Sequence, residues 1–387
     1  MARSVLITGA RAVAALDLAR DFAAAGWQVH LADSRHLRMA RWSRLAVSHH
    51  LYPPPRQEGE AFRHRVAALV EEQNIDFVVP TCEEVFHLAA PSLRRDLGAR
   101  LFAPDLAMLR QLHDKFAFVR VCESWGLPAP ESHRLESRAD VARFAGEASE
   151  WVFKPCFTRF GDAALVGPAP ETLERITPSP AALWLAQRRI HGREAAFYAV
   201  AHHGKLVAFA AYASDWRLGG AASYAFEPLG DGDQAMLHDL AARLAASASL
   251  HGQFACDVMI DAQGRPFLIE CNPRATSGVH LLTGAGTLAR AIGEGVPMTA
   301  PSRAPAYLGP AMLVYGLPQA LREGRLRPWW QLFATGREAI SRPGDRWPLA
   351  GALADAAGFF LEGRRHSITT TAATTRDIAW NGEELDR

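Results

Sequence analysis

Two apolar runs in the second half of the chain constrain its fold more than any other feature, because together they predict a β-hairpin. Residues 254–260 (FACDVMI) and 266–272 (PFLIECN) are rich in β-forming side chains and flank a short turn that contains glycine. Pairing across a four-residue loop places Asp257 directly opposite Glu270. Side chains alternate between the two faces of a strand, so Asn272 lies on the same face as the two acids.

Two acids that face each other within apolar strands need an explanation, because like charges in opposite positions destabilise a sheet. One explanation is that one carboxyl keeps its proton, as in an acid–base pair. Another is a bound cation such as Mg²⁺, which prefers oxygen ligands like those of Asp257, Glu270 and Asn272. A third is a hairpin whose acids are solvated at the surface. The sequence Asn-Pro-Arg at 272–274 disfavours the third, because it adds an oxygen and a cation at the same point.

Strand and helix patterns alternate through the first hundred residues, which is typical of βαβ units and a parallel sheet. The turn after the first strand contains Gly9 but lacks a G-x-G-x-x-G motif, which favours a tight turn over a nucleotide site. The predicted strands are 4–8, 27–32 and 76–80, and the predicted helices are about 13–25 and 61–73.

A second set of elements begins near residue 104. A helix over 106–123 carries Lys115, and a strand over 151–155 carries Lys154 near its end. The loop that follows has no strong periodicity. Further strands are predicted at 183–190, 194–199 and 206–213, and a further helix at 234–249.

The segment Glu270-Cys271-Asn272-Pro273-Arg274 resembles the E-x-N-P-R signature of ATP-grasp enzymes. Asp257, thirteen residues earlier, fits the first metal acid of that family. Other family markers follow in the expected order, and the resemblance covers about residues 1–300. The chain is most similar to the subgroup that includes carbamoyl-phosphate synthetase large subunits and stand-alone L-amino-acid ligases.

The resemblance implies a role for each matching residue. It implies that ATP and Mg²⁺ are cofactors, with Mn²⁺ as the alternative ion. The implied metal ligands are Asp257, Glu270 and Asn272, and the implied catalytic residues are Arg274 and Lys154. The implied nucleotide-binding residues are Lys115, Lys154, Arg159, Gln187, Arg188, Arg189, Ile190 and Glu194. The candidate substrate residues are Glu83, Glu84, Arg274, Ser277 and His280.

Several of these roles have an equally ordinary structural alternative. Glu83 and Glu84 follow a predicted strand at the ligand-binding edge of a parallel sheet, but acids are also favoured at a helix start. A lone histidine such as His280 is more often a hydrogen-bonded structural residue. The loop after Lys154 has a single glycine, Gly161, so Arg159 either contacts phosphate through its side chain or lies in solvent.

The fold expected from these patterns is mixed α/β and α+β. A Rossmann-like pre-ATP-grasp domain over 1–104 precedes an ATP-grasp domain over 105–300, with a flexible lid at about 125–185. Residues 301–387 match no motif and form a C-terminal extension that covers the site or packs between the subunits of a homodimer.

The expected function is an ATP- and Mg²⁺-dependent carboxylate–amine ligase. It would join small molecules, one of them an amino acid, through an acyl phosphate and release ADP and phosphate. The alternatives are a biotin-carboxylase-like or carbamoyl-phosphate-like enzyme and a nucleotide-binding regulator without activity. The 42 basic and 41 acidic residues nearly cancel, which disfavours a nucleic-acid or membrane partner. Five scattered cysteines without a CxxC motif predict reduced thiols and a cytoplasmic location.

Overall fold

The N-terminal region is a parallel sheet flanked by helices, as the alternating sequence pattern predicts. The structure is a computed structural model that describes residues 2–159, 163–218, 222–298 and 303–386. The elements of this region are β1 (Ser4–Thr8), α1 (Val13–Ala24), β2 (Gln28–Asp33), β3 (Ser48–Leu51), α2 (Gly59–Glu72), β4 (Phe77–Val79), α3 (Glu84–Leu88) and α4 (Pro91–Leu97). The strand order is β3-β2-β1-β4, and β1 is buried at every residue.

Two short helices, α5 (Leu106–His113) and α6 (Lys115–Ser124), connect this sheet to the rest of the chain. The side chain of Asp114 caps α6 by accepting hydrogen bonds from the backbone amides of Phe116 and Ala117. This cap fixes Lys115 as the first residue of the helix, where the sequence pattern had placed it within a longer helix.

An antiparallel sheet follows, in the order β5-β8-β6-β7. Its elements are β5 (Ser132–Leu135), α7 (Arg138–Ala142), β6 (Trp151–Pro155), β7 (Leu165–Val166) and β8 (Trp184–Arg188). Trp151 and Phe153 of β6 point into the apolar core of this sheet. Because side chains alternate along a strand, Lys154 points to the opposite face. Gly161 lies outside the described residues.

The largest sheet of the described chain has the order β15-β14-β9-β10-β13-β16-β17. Phe254, Cys256 and Val258 of β14 lie in the same apolar core as α8, whereas Ala255 lies in the core shared with the N-terminal region. The elements are β9 (Gly192–His202), β10 (Lys205–Ala213), β11 (Arg217–Leu218), β12 (Ala222–Ser223), β13 (Ala225–Pro228), α8 (Asp231–Ser247), β14 (Gly252–Asp261), β15 (Pro266–Asn272) and α9 (Thr287–Glu294).

The C-terminal segment continues the main sheet and also returns to the N-terminal region. Its elements are β16 (Ala306–Tyr307), α10 (Gly309–Ala311), α11 (Leu317–Glu323), α12 (Leu326–Thr335), β17 (Arg337–Glu338), α13 (Pro348–His366) and α14 (Thr370–Ala373). Beyond α14, Trp380 is 1% exposed and stacks on Phe86 with ring centroids 4.8 Å apart. The boundary drawn at 300/301 lies outside the described residues. None of the described helices has the length and apolarity that crossing a membrane requires.

Candidate active site

The hairpin of β14 and β15 brings the two acids into register as predicted. Asp257 pairs with Glu270, and Ala255 pairs with Asn272. The loop differs from the prediction by one residue, because Ile260 rather than Asp261 pairs with Pro266. A bulge between the pairs Asp257–Glu270 and Val258–Leu268 compensates for this shift.

The acid pair is bordered by two lysines from other elements. The Nζ atom of Lys115 lies 3.4 Å from Oε2 of Glu270 and donates a hydrogen bond to the Thr158 carbonyl at 3.0 Å. Lys154 reaches the same cluster from β6, and both lysines are about 5% exposed. They are two of the three lysines in a sequence that otherwise uses arginine for its positive charge. The third, Lys205, is exposed at the start of β10.

The pKa values of the two carboxyls in this cluster are shifted in opposite directions. Desolvation by the cleft walls and the charge of Glu270 raise the pKa of Asp257, although its side chain remains open to water on one side. Desolvation also acts to raise the pKa of Glu270, but Lys115 and Lys154 outweigh it and lower that pKa. These shifts favour ionisation of Glu270 and protonation of Asp257.

Burial also affects Lys154. Desolvation lowers the pKa of Lys154 to about 8, and the nearby charge of Glu270 only partly offsets this effect. Its charge state is therefore sensitive to mildly alkaline pH. A second anion beside the amine would favour the protonated form.

The donor set fits a hard divalent ion that is shared with a ligand. Within the described ranges, no group of three or more His, Cys, Asp or Glu side chains is arranged to hold a metal. Asp257 and Glu270 supply two carboxylates, and the side-chain oxygen of Asn272 supplies a third ligand. That oxygen accepts a hydrogen bond from Arg274 at 3.2 Å. The remaining ligands of Mg²⁺ would come from phosphate oxygens and water, as is usual for this ion.

The segment 187–190 offers one backbone donor to a ligand. The backbone amides of Arg188 and Arg189 donate to carbonyl oxygens of the protein at 2.7 and 2.8 Å. In the described part of the chain, the amide of Ile190 has no hydrogen-bond partner. The side chain of Gln187 donates to Ser132 Oγ at 3.2 Å and is buried, so it serves the sheet.

The charged side chains near this segment face outward. The guanidinium of Arg188 lies 3.5 Å from Glu147 and 3.7 Å from Glu150. Glu194, at the start of β9, contacts Arg217 and is more than half exposed. A carboxylate in that exposed position can accept hydrogen bonds from ligand hydroxyl groups once Arg217 shares or releases it.

Arg159 is held away from solvent by protein groups. Its Nε donates to Glu83 Oε2 at 2.6 Å, and its other nitrogens donate to the Trp380 carbonyl at 2.8 Å and to Asn381 Oδ1 at 3.0 Å. Glu83 is almost fully buried, and its Oε1 has no hydrogen-bond partner among the described groups. Of the two alternatives drawn from the sequence, phosphate contact and solvent exposure, this conformation adopts neither.

Three other candidate substrate residues are positioned differently from one another. Glu84 is fully buried and accepts a 2.6 Å hydrogen bond from Thr8, which makes it part of the N-terminal core. His280 is also buried, with its Nδ1 atom 2.8 Å from Asp17. The structure therefore does not bring these two side chains to the acid pair. Ser277 is half-buried at the start of a short helix that follows the signature segment.

Two residues near the loop after Lys154 could not be identified as site residues from the sequence. Trp380 and Asn381 reach Arg159 from a position more than 200 residues away, and no motif surrounds them. Their contacts depend on the path of the C-terminal extension across the N-terminal sheet, which local patterns do not encode.

Comparison with known proteins agrees with this architecture. Residues 112–278 match the family model of the ATP-grasp domain. The structure resembles N5-carboxyaminoimidazole synthetase from Staphylococcus aureus complexed with ADP, with a TM-score of 0.63 and 13% identity over 83% of this chain and 86% of that one. It also resembles the biotin carboxylase domain of 2-oxoglutarate carboxylase from Hydrogenobacter thermophilus, with a TM-score of 0.61 and 16% identity over 78% and 72%.

A third similar structure is the L-amino acid ligase from Bacillus licheniformis, with a TM-score of 0.56 and 15% identity over 73% of this chain and 70% of that one. These likenesses confirm the predicted fold, in which an ATP-grasp module follows a Rossmann-like domain. The family match lies over the residues that carry Lys154, Asp257, Glu270 and Asn272. Residues 112–278 therefore match an ATP-grasp domain, and the chain as a whole shares the fold of these ATP-grasp structures.

Proposed function

We propose that this protein is an ATP- and Mg²⁺-dependent ligase that joins a carboxylate to an amine on small molecules, one of them an amino acid. The observation that carries the proposal is the pairing of Asp257 with Glu270 beside Lys115 and Lys154, inside the matched ATP-grasp domain. This arrangement supplies the positive charge and oxygen ligands that phosphoryl transfer needs, without a protein nucleophile.

The proposed chemistry has two steps. A carboxylate oxygen of the first substrate attacks the γ-phosphorus of ATP, which forms an acyl phosphate and releases ADP. The amine nitrogen of the second substrate then attacks the acyl carbon. An amide bond forms, the carbon–oxygen bond to phosphate breaks, and the amine loses a proton.

The protein contributes binding, orientation and charge to these steps. Lys115 and Lys154 bind phosphate oxygens, and the amide of Ile190 donates to the nucleotide base. Asp257, Glu270 and Asn272 would hold Mg²⁺, which would neutralise the charge that moves with the phosphoryl group. Arg274, whose guanidinium donates to Asn272 Oδ1, would supply a further positive charge to the transferred group.

A second candidate is activation of bicarbonate in place of an organic carboxylate. The biotin carboxylase domain in the comparison is described in complex with MgADP and bicarbonate, and it shares this fold. In that case, ATP hydrolysis would depend on bicarbonate and would need no amino acid.

A phosphate-release screen tests both candidates. The purified protein is incubated with ATP and Mg²⁺ against pairs of amino acids, other carboxylates with amines, and bicarbonate alone. We expect phosphate release with an amino-acid pair and ADP as the nucleotide product on chromatography. AMP and pyrophosphate as the main products would overturn the acyl-phosphate mechanism, and release with bicarbonate alone would favour the second candidate.

A further inference from the structure

A cavity of about 750 Å³ lies between the antiparallel sheet that carries Lys154 and the C-terminal segment. This volume is in the range of small-molecule sites. One wall comes from the start of the loop after Lys154 and from the β8 region, and the other comes from the end of α13, α14 and the residues that follow. The cavity is thus built by two parts of the chain that are far apart in sequence.

Its polar lining is positively charged. Three arginines from separate regions line the cavity, namely Arg56, Arg159 and Arg376, and His366 joins them. None of the described residues of the lining carries a carboxylate. Each of these arginines pairs with an acid that stands outside the lining, so the lining itself offers only cations to a bound anion.

Arg159 is held by the buried carboxylate of Glu83, but Arg56 and Arg376 make only loose ion pairs. The guanidinium of Arg56 lies 3.5 Å from Glu383, and that of Arg376 lies 3.6 Å from Glu362. Both arginines are more than a third exposed, and exposed pairs of this length contribute little free energy. A ligand anion within the cavity can therefore compete for both guanidinium groups.

The rest of the lining is apolar and includes aromatic rings. Phe157 and Trp184 form part of the wall, together with alanine and leucine side chains. An apolar wall beside a cationic one suits a molecule with an organic body and an anionic head group. Water or a small inorganic ion alone would leave the aromatic wall without a partner.

The cavity adjoins the loop after Lys154. Pro155 and Thr158 line it, and they stand one and four residues after Lys154 in the chain. The carbonyl of Thr158 accepts the hydrogen bond from Lys115, so the segment that borders the cavity also contacts the acid cluster. A ligand in the cavity therefore borders the segment whose Thr158 carbonyl positions Lys115.

We propose that this cavity binds the anionic, non-reacting end of the small-molecule substrate, a carboxylate or a phosphate ester on an organic body. The proposal rests on the proposed ligase function and adds a substrate class to it. Arg56 and Arg376 hold the head group, the aromatic wall holds the body, and the C-terminal extension is part of the substrate site.

Calorimetric titration with defined probes tests this assignment. The probes are phenyl phosphate, phenylacetate and the uncharged 2-phenylethanol, added while Mg²⁺ and a non-hydrolysable ATP analogue saturate the nucleotide site. The test variant is the double substitution Arg56→Ala/Arg376→Ala. The matched control is Arg65→Ala/Arg243→Ala, which removes two arginines that also pair with surface acids but lie outside the cavity.

We expect both anions to bind at least tenfold more tightly than 2-phenylethanol, because charge-assisted hydrogen bonds contribute that much affinity. The double variant should lose at least tenfold in anion affinity, and the control should lose none. The tighter of the two anions identifies the head group as phosphate or carboxylate.

The proposal is overturned if the double variant binds the anions as tightly as the parent, if the neutral probe binds equally well, or if neither anion binds. Binding of the ATP analogue is recorded in the same experiment. Its absence would contradict the proposed ligase function, while titrations repeated without nucleotide would still decide whether the cavity binds anions.

Discussion

At the scale of single residues, the acid pair is stabilised by cations and a shared proton. If repulsion between the carboxyls dominated, removing either acid would stabilise the metal-free protein. In the structure, Glu270 lies beside Lys115, which lowers its pKa, and Asp257 is the carboxyl whose pKa is raised. The two acids are therefore not equivalent, and their variants should behave differently.

We expect Glu270→Gln to lower the free energy of unfolding in EDTA by about 1–3 kcal/mol, because the buried Lys115 and Lys154 lose their counter-charge. Asp257→Asn should change it by less than about 0.5 kcal/mol near neutral pH, since a neutral amide replaces a protonated acid. Both variants should nearly abolish turnover with saturating Mg²⁺. Urea unfolding and an activity assay measure these effects, and the opposite order of stabilities would mean that the proton sits on Glu270.

The raised pKa of Asp257 also predicts the direction in which the free energy of unfolding changes with pH. A carboxyl whose native pKa lies above its unfolded value contributes stability at low pH, and this contribution is lost as the pH rises through the native pKa. Between mildly acidic and neutral pH, the free energy of unfolding should therefore fall less in Asp257→Asn than in the parent. Urea unfolding curves across this range compare the variant with the parent, and parallel pH profiles would contradict the assignment.

The affinity for nucleotide should fall at alkaline pH because of Lys154. Its pKa is lowered to about 8, and only the protonated amine binds phosphate strongly. We expect about tenfold weaker binding of a non-hydrolysable ATP analogue at pH 9 than at pH 7. Lys154→Arg keeps its charge and should flatten this profile. A profile in the parent that is equally flat would show that Lys154 is not a phosphate ligand.

At the scale of secondary structure elements, the hairpin shows how far the sequence pattern could predict the site. The alternation of apolar and polar residues places Asp257, Glu270 and Asn272 on one face, and the structure agrees. The pattern does not reveal the bulge, because Leu268 and Cys271 are both apolar and both enter the core. The predicted register of the acids is correct only because the bulge offsets a loop that is one residue longer.

The segment around Trp380, by contrast, carries no sequence pattern that would predict its position. Trp380 packs into the N-terminal core, where it stacks on Phe86 and donates a 2.8 Å hydrogen bond to the Glu383 carbonyl. Phe86 lies almost three hundred residues before Trp380 in the chain, and only tertiary packing brings the two rings together. The same segment supplies the carbonyl that accepts from Arg159.

We expect Trp380→Ala to destabilise the protein by about 3–5 kcal/mol, the usual cost of emptying a buried aromatic site. Trp330→Ala is the matched control, because Trp330 also lies in the C-terminal extension but is 63% exposed, and it should cost less than about 0.5 kcal/mol. Denaturant unfolding measures both. Equal stabilities would mean that the segment around Trp380 is not docked in solution.

At the scale of the whole molecule, three regions meet around the acid cluster. The N-terminal sheet contributes Glu83, the ATP-grasp domain contributes the lysines and acids, and the C-terminal extension contributes Trp380 and Asn381. The order of motifs in the sequence predicts the first two regions and their fold. The order of motifs does not predict how the C-terminal extension packs against the other two regions, because no motif marks residues 301–387.

The most direct test of the account is calorimetric titration of a non-hydrolysable ATP analogue into the parent, Lys154→Ala and Lys205→Ala, with and without Mg²⁺. Lys205 is the matched control, since it is the chain's third lysine and is exposed at the start of β10. We expect Mg²⁺-dependent binding of the ATP analogue, with an affinity that falls about ten- to a hundredfold in Lys154→Ala and is unchanged in Lys205→Ala. Equal affinity in all three folded proteins, or binding that is indifferent to Mg²⁺, would contradict it.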